Sequence, residues 1–135
     1  MTHTLHIDAS ANTETSASRA ASAILVADMG GTVTYRDLTT SPLPQIDGAW
    51  AAARLTDPET RSGDDQGRLA LSDVLIAELQ AADTILIGTP VYNFGSPASL
   101  KAWMDLVARP GVTFTYTAEG QKGLLKGKKA LVTVA

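Results

Sequence analysis

Apolar positions along the chain change their period several times, and each change marks an element. Leu5–Asp8 is a short apolar segment that runs into the polar stretch Ser10–Ser18, which reads as a buried strand feeding a loop. From Ser18 the spacing becomes helical, with Ala20, Ala21, Ile24, Leu25 and Asp28 three and four residues apart. Gly30-Gly31 then stops the helix, because glycine accepts the left-handed backbone of a helix end. Thr32–Arg36 alternates and is β-branched, so it predicts a second strand. Ser41-Pro42-Leu43-Pro44 is a loop, and Trp50–Leu55 a short helix. Asp57–Gly67 is polar and holds Pro58, Gly63 and Gly67, which fits either a surface loop or the lead-in to the next helix.

The second half is more strongly patterned. Ser72–Ala82 predicts a helix that offers Leu71, Val74, Leu75, Ala77 and Leu79 to a core. Thr84–Gly88 is almost wholly apolar, as a strand covered on both faces must be, and this points to a parallel sheet between helix layers. Pro97–Val107 predicts a helix with its proline in the first turn, where the missing N–H costs nothing. Val112–Tyr116 is extended, Lys126-Gly127-Lys128-Lys129 is a turn, and Ala130–Ala135 is a further apolar strand. The order β-α-β-α-β-α-β predicts one α/β domain over residues 1–135, an open doubly wound parallel sheet with right-handed crossovers. Such a sheet usually goes on to another helix and strand, so four strands of an expected five are read here.

Composition narrows the function. The chain has no cysteine, which removes disulfides, thiolate metal sites and cysteine nucleophiles. A net charge of −3 gives no footprint for nucleic acid or an anionic membrane, though backbone amides can still bind a local anion. No run approaches the about 18 apolar residues of a membrane span, and the start Met1-Thr2-His3-Thr4-Leu5 is not a signal peptide, so a soluble cytoplasmic protein is expected. His3 and His6 alternate on the first strand without a third ligand nearby, so no metal site is expected. Asp64-Asp65 reads as a solvated turn or a helix start rather than a cation site, and the lysines of the 126–129 turn read as solvated. Trp50 and Trp103 read as core or dimer contacts, and Asp105 and Arg109, four apart, as a surface ion pair.

In an open α/β sheet, ligands bind beyond the carboxyl ends of the strands, where strand order reverses. The loop after strand one, Ser10–Arg19, is dense in hydroxyls and runs straight into a helix. Helix-start amides carry partial positive charge, serine hydroxyls add donors, and Arg19 adds a full charge, so a phosphate monoester fits. The plain alternative is that Ser16 or Ser18 only caps the helix. The loop lacks the glycines and lysine of a P-loop, which disfavours a triphosphate. The loop after strand three, Thr89-Pro90-Val91-Tyr92-Asn93-Phe94-Gly95-Ser96-Pro97, is braced by prolines, opens to close approach at Gly95 and offers flat aromatics beside an amide. It suits a planar heterocycle with a polar edge; otherwise it is a turn with core aromatics.

These residues resemble the FMN-dependent NADH-azoreductases and NAD(P)H quinone reductases of flavodoxin-like fold. The resemblance is carried by Ser72–Leu79 with Ala82-Asp83, Gly88-Thr89-Pro90-Val91-Tyr92-Asn93-Phe94, Leu100-Lys101-Ala102-Trp103 through Arg109, Gly111-Val112-Thr113-Phe114-Thr115-Tyr116-Thr117 and Gly123–Lys129. It is weaker from residue 1 to about 70, where Ser10 and Ser16-Ala17-Ser18 match the family's phosphate loop. The resemblance implies that Ser10, Ser16, Ala17 and Ser18 hold the phosphate of FMN. It implies that Val91, Tyr92, Asn93 and Phe94 line the isoalloxazine ring, and that Asn93 and Tyr116 border the substrate pocket. It implies a homodimer with the flavin near the subunit interface, and a ping-pong transfer of electrons from NADH through FMN to a quinone or an aromatic azo bond. The flavin carries the redox chemistry and the protein supplies binding and orientation, so no acid–base triad is required. The family's fourth strand leads to a Gly-Gly-containing loop against the flavin, then a fifth strand and a last helix. None of these lies within the 135 residues, and weak or absent flavin binding is the corresponding expectation. A flavodoxin-type electron carrier and a catalytically inert fragment of the fold are the other two readings. Against the carrier, such proteins are usually far more acidic than −3.

Overall fold

The apolar runs assemble into one parallel sheet. The computed structural model describes residues 1–135. Its elements are β1 (His3–Asp8), α1 (Ala17–Met29), β2 (Thr32–Asp37), α2 (Gly48–Ala53), a 3-10 turn (Pro58–Thr60), α3 (Gly63–Ala81), β3 (Thr84–Thr89), α4 (Ala98–Val107), β4 (Phe114–Thr117), β5 (Gly120–Gly123) and β6 (Lys129–Val134). Strands pair in parallel in the order β2-β1-β3-β6. Strand order therefore reverses at β1: the chain moves outward to β2, then back across to β3. With right-handed crossovers this puts α1 on one face and α3 and α4 on the other. The packing agrees, since α1 lies against β1, β3 and β6 while α3 packs on α2, α4 and β1.

The central strands are buried as a doubly covered sheet requires. Leu5, Ile7 and Leu86 are fully buried, and Leu69, Leu75, Leu79, Leu100, Trp103 and Leu106 close the core beneath α3 and α4. Burying a side chain of this size contributes about 1.5–3 kcal/mol. Trp50 and Trp103 are both buried, so each is a core residue in the folded chain. Gly88 is required by close approach: a Cβ there would lie 2.6 Å from Asp8 Oδ1 and 2.9 Å from the Ser22 Cβ and Oγ. Gly30 and Gly31 have φ of 63° and 77°, the left-handed helix stop read from the sequence.

Several expectations are corrected. The third helix begins at Gly63, not Ser72. Ser62 caps it by accepting from the Asp65 amide at 3.1 Å, and Asp64 and Asp65 sit in the first turn, where carboxylates offset the helix dipole. The acidic pair and the polar stretch before it are thus a 3-10 turn and a helix start, held by caps rather than by apolar periodicity. Residues 112–116 are not a lone extended segment; β4 folds back on β5 as an antiparallel hairpin outside the main sheet. The Asp105–Arg109 pair does not form. Asp105 bonds Lys101 at 2.5 Å, while Arg109 is buried and donates through Nη1 to Ser72 Oγ and Asp73 Oδ1, both at 2.9 Å. The helix ends near Val107, so position 109 has left the helical face it would have shared with Asp105. Lys128 is not simply solvated: its Nζ donates to the carbonyls of Gln80 and Ala82, the unpaired acceptors at the end of α3. Ile24 and Val74 face solvent rather than the core. No helix is long and apolar enough to cross a membrane.

Candidate functional site

The carboxyl ends of β1 and β3, neighbours at the point of reversal, bring the two loops named by the sequence together. After β1, Ser10 is buried, and its Oγ accepts from the Asn12 amide and faces the Asn12 carbonyl, both at 3.2 Å. Asn12 Oδ1 accepts from the amides of Glu14 (2.9 Å) and Thr15 (3.1 Å), so the loop turns on its own side chains. Ser16 caps α1 by accepting from the Arg19 amide at 3.2 Å, and its Oγ lies 3.0 Å from Ser18 Oγ. The amides of Ala17 and Ser18 find no acceptor within the chain, as the first turn of a helix leaves them. Serine hydroxyls beside free amides at the positive end of a 13-residue helix are the kind of donors that a small dianion requires. Capping and anion binding are therefore compatible: Ser16 does the first while the neighbouring amides stay free.

After β3, Tyr92 and Gly95 exchange backbone hydrogen bonds at 2.9 and 3.0 Å, which forces Asn93 and Phe94 into a two-residue turn. Both have positive φ, 50° and 66°, a conformation that costs a non-glycine residue about 1–2 kcal/mol. Two successive residues in this region are uncommon, and such strain concentrates at functional sites. The turn projects Phe94 fully into solvent and leaves Val91 and Asn93 exposed, so the aromatics are not core residues. Tyr92 Oη accepts from the Ala11 amide at 3.1 Å, which joins the two loops. Ser99 Oγ donates to the Ala9 carbonyl at 3.3 Å and ties the start of α4 to the same edge. The site is thus an open shelf rather than an enclosed cavity.

Beneath the shelf lies a polar network that the sequence reading missed. Asp8 is buried; it accepts from Ser22 Oγ at 2.7 Å and Tyr35 Oη at 2.8 Å. His6 Nε2 is 3.4 Å from Asp8 Oδ1 without hydrogen-bond alignment, so its contact is electrostatic. Burial acts to raise the Asp8 pKa, but the His6 ring and the two hydroxyls outweigh it and hold the carboxyl below its ordinary value. Burial, with the hydrogen bond to Asp8, pushes Tyr35 up to about 12. Arg19 donates to both oxygens of Asp37 at 2.8 Å, which lowers that carboxyl to about 2. The expectation that Arg19 adds free charge to the anion loop is corrected, because its guanidinium is already matched by a carboxylate. The one available signal was the pairing of Asp8 with Asp37 at the ends of adjacent strands: two acids side by side need a cation.

Ser10, Ser16, Ala17, Ser18, Val91, Tyr92, Asn93 and Phe94 therefore share one edge of the sheet. Tyr116 stands apart, exposed on the β4–β5 hairpin, stacked edge-on to Phe114 at 5.3 Å, with no hydrogen bond or aromatic contact to the 91–94 turn. No cluster of three or more metal-ligating side chains is present.

Over residues 2–135 the chain matches the family described as flavodoxin-like fold. It is 56% identical over 135 residues to FMN-dependent NADH:quinone oxidoreductase 1 of Jannaschia sp. (strain CCS1), an alignment covering 100% of this chain and 70% of that relative. It is 50% identical over 138 residues to the FMN-dependent NADH:quinone oxidoreductase of Erythrobacter litoralis (strain HTCC2594), again covering 100% and 70%. Among solved structures, the azoreductase from Bacillus anthracis str. Sterne superposes with a TM-score of 0.87 at 25% identity, over 99% of this chain and 68% of that one. The FMN-dependent NADH-azoreductase from Bacillus anthracis str. Ames Ancestor, solved in complex with FMN, gives 0.83 at 26% identity, over 99% and 68%.

Proposed function

The chain belongs to the flavodoxin-like fold family and, within it, to the FMN-dependent NADH:quinone oxidoreductases, and from that premise we propose that it passes electrons from NADH through bound FMN to quinones or aromatic azo compounds. When bound, FMN supplies the two-electron chemistry, accepting hydride from NADH and returning electrons to the acceptor. The protein's own residues bind and orient. The observation that carries this reading is the Ala11–Tyr92 hydrogen bond, which fixes a dianion receptor and a strained aromatic turn side by side at the point of reversal.

The residues fit the group. The free amides of Ala17 and Ser18 and the hydroxyls of Ser10, Ser16 and Ser18 match a phosphate monoester, which needs several donors and no P-loop. Val91, Tyr92, Asn93 and Phe94 offer apolar surface and an amide with both donor and acceptor, as a flat ring with a polar edge demands. The shelf is open on its outer side, so one chain does not exclude water from the ring. That openness supports a homodimer in which a second protomer covers the shelf, Asn93 bordering the substrate pocket and the partner's exposed hairpin supplying the aromatic at position 116. The reaction is placed in the cytoplasm, where NADH is available.

The test is consumption of NADH with a soluble quinone, with and without added FMN. Oxidation of NADH that requires both FMN and the protein is expected. An FMN-loaded protein that accepts electrons from chemical dithionite but never oxidises NADH would be an electron carrier and would contradict the proposal.

A further inference from the structure

Resting on the flavin reading above, we propose that Arg19 and Thr39 are positioning residues that clamp the Ser10 carbonyl, with Asp37 holding both, and so set the shape of the phosphate loop. Ser10 is the point where the chain leaves the sheet edge and enters that loop. Its carbonyl accepts two hydrogen bonds, from Arg19 Nη2 and Thr39 Oγ1, each at 2.7 Å. The donors come from different elements, one in the first turn of α1 and the other just beyond β2. Asp37 Oδ1 accepts from Arg19 Nη2 at 2.8 Å and from the Thr39 amide at 2.9 Å, closing a ring of contacts through Arg19, Ser10, Thr39 and Asp37.

The peptide unit so held is planar, and its other side is the Ala11 N–H that donates to Tyr92 Oη. Clamping the carbonyl therefore fixes the direction of the amide. The Arg19 backbone is engaged too, since its N–H is the one that Ser16 caps. Geometry argues against Arg19 as a direct ligand: Nη1 and Nη2 are occupied by Asp37, Ser10 and Tyr35, the side chain is only 14% exposed, and the pair with Asp37 is neutral overall. What Arg19 supplies to the dianion is the position of the Ser10 and Ser16 hydroxyls and the Ala17 and Ser18 amides.

Two flavins separate this role from others, because riboflavin lacks the phosphate. Binding is read by quenching of flavin fluorescence on the purified chain, with thermal melting as the check on folding. Thr39→Val removes one donor to Ser10 and leaves the ion pair intact; FMN should weaken about tenfold, the value of one hydrogen bond to a well-held acceptor. Riboflavin should be unchanged, since Tyr92 keeps its own backbone pair with Gly95. Arg19→Lys should lose as much FMN affinity as Arg19→Gln, because one ammonium cannot reach both Asp37 oxygens and the Ser10 carbonyl. Asp37→Asn should weaken FMN as well. If Arg19 were itself a phosphate ligand, Arg19→Lys would retain affinity and Asp37→Asn would tighten FMN by freeing the cation; either result overturns the clamp. So does a Thr39→Val protein with unchanged FMN affinity, or one that loses FMN and riboflavin equally. Failure of the unsubstituted chain to bind FMN would instead overturn the flavin reading itself, and the clamp with it.

Discussion

Asn93 and Phe94 show how single residues divide between folding and function here. Phe94 has φ of 66° and a fully exposed side chain, so it adds strain without burying anything in the chain. Phe94→Gly should therefore stabilise the fold by about 1 kcal/mol, glycine's own entropic cost deducted from the relieved strain. Under the proposed function, in which Phe94 lines the flavin ring, the same change should lower turnover with NADH and a quinone. Urea unfolding and steady-state kinetics on one preparation check both halves; a Phe94→Gly protein that is less stable and fully active would refute the assignment. Gly88 makes the opposite case. Gly88→Ala pushes a methyl into Asp8 and Ser22, both buried, and should cost about 2–3 kcal/mol as overpacking. A shift in the urea midpoint measures it. At this scale the sequence disclosed the two loops that meet at the sheet edge, since serines at a helix start and aromatics between prolines are local signals. It misled at Arg19 and Arg109, whose partners Asp37 and Asp73 are 18 and 36 residues away.

Among the elements, legibility followed the source of stability. β3 and β6 declared themselves through apolar runs, and α4 through its proline and its buried stripe of Leu100, Trp103 and Leu106. The first turns of α3 did not, because Gly63, Asp64, Asp65 and Gly67 have poor helix propensity and depend on the Ser62 cap. The β4–β5 hairpin was missed because Gly120–Gly123 is wholly exposed and carries no hydrophobic alternation. That hairpin leaves α4 through a loop anchored by Arg109, which joins Ser72 and Asp73 of α3, and by Thr113, which donates to the Val107 carbonyl at 2.7 Å. Arg109→Ala should destabilise by about 2 kcal/mol through lost packing and an orphaned Ser72 contact. The exposed end of Asp73 keeps the figure below that of a fully buried pair. Limited proteolysis should then cut first between residues 110 and 128. Cleavage elsewhere, at unchanged stability, would deny Arg109 this anchoring role.

For the whole molecule, the network under the shelf sets the pH range of stability. Asp37 has its carboxyl at about 2 and Asp8 lies below its ordinary value, so the unfolded chain takes up protons before the folded one does as pH falls. Their contribution is complete above the unfolded carboxylate value of about 3.9 and is lost as pH drops toward about 2. Tyr35 is shifted the other way, to about 12, so its contribution is complete below its unfolded value of about 10 and is lost as pH rises toward about 12. Urea midpoints measured against pH should fall on both sides of a plateau. Asp37→Asn should flatten the acid side and Tyr35→Phe the alkaline side; a profile unaltered by either substitution would contradict the network. The same network lies beneath the two loops on which the proposed function rests. The most direct trial of that claim is an anaerobic titration of the purified chain with FMN, followed by NADH and then a quinone. Saturable binding of one flavin per chain is expected, with loss of its visible absorbance on NADH addition and recovery on quinone addition. A chain that leaves FMN fluorescence unquenched at every concentration, or binds FMN that NADH never bleaches, would contradict the account.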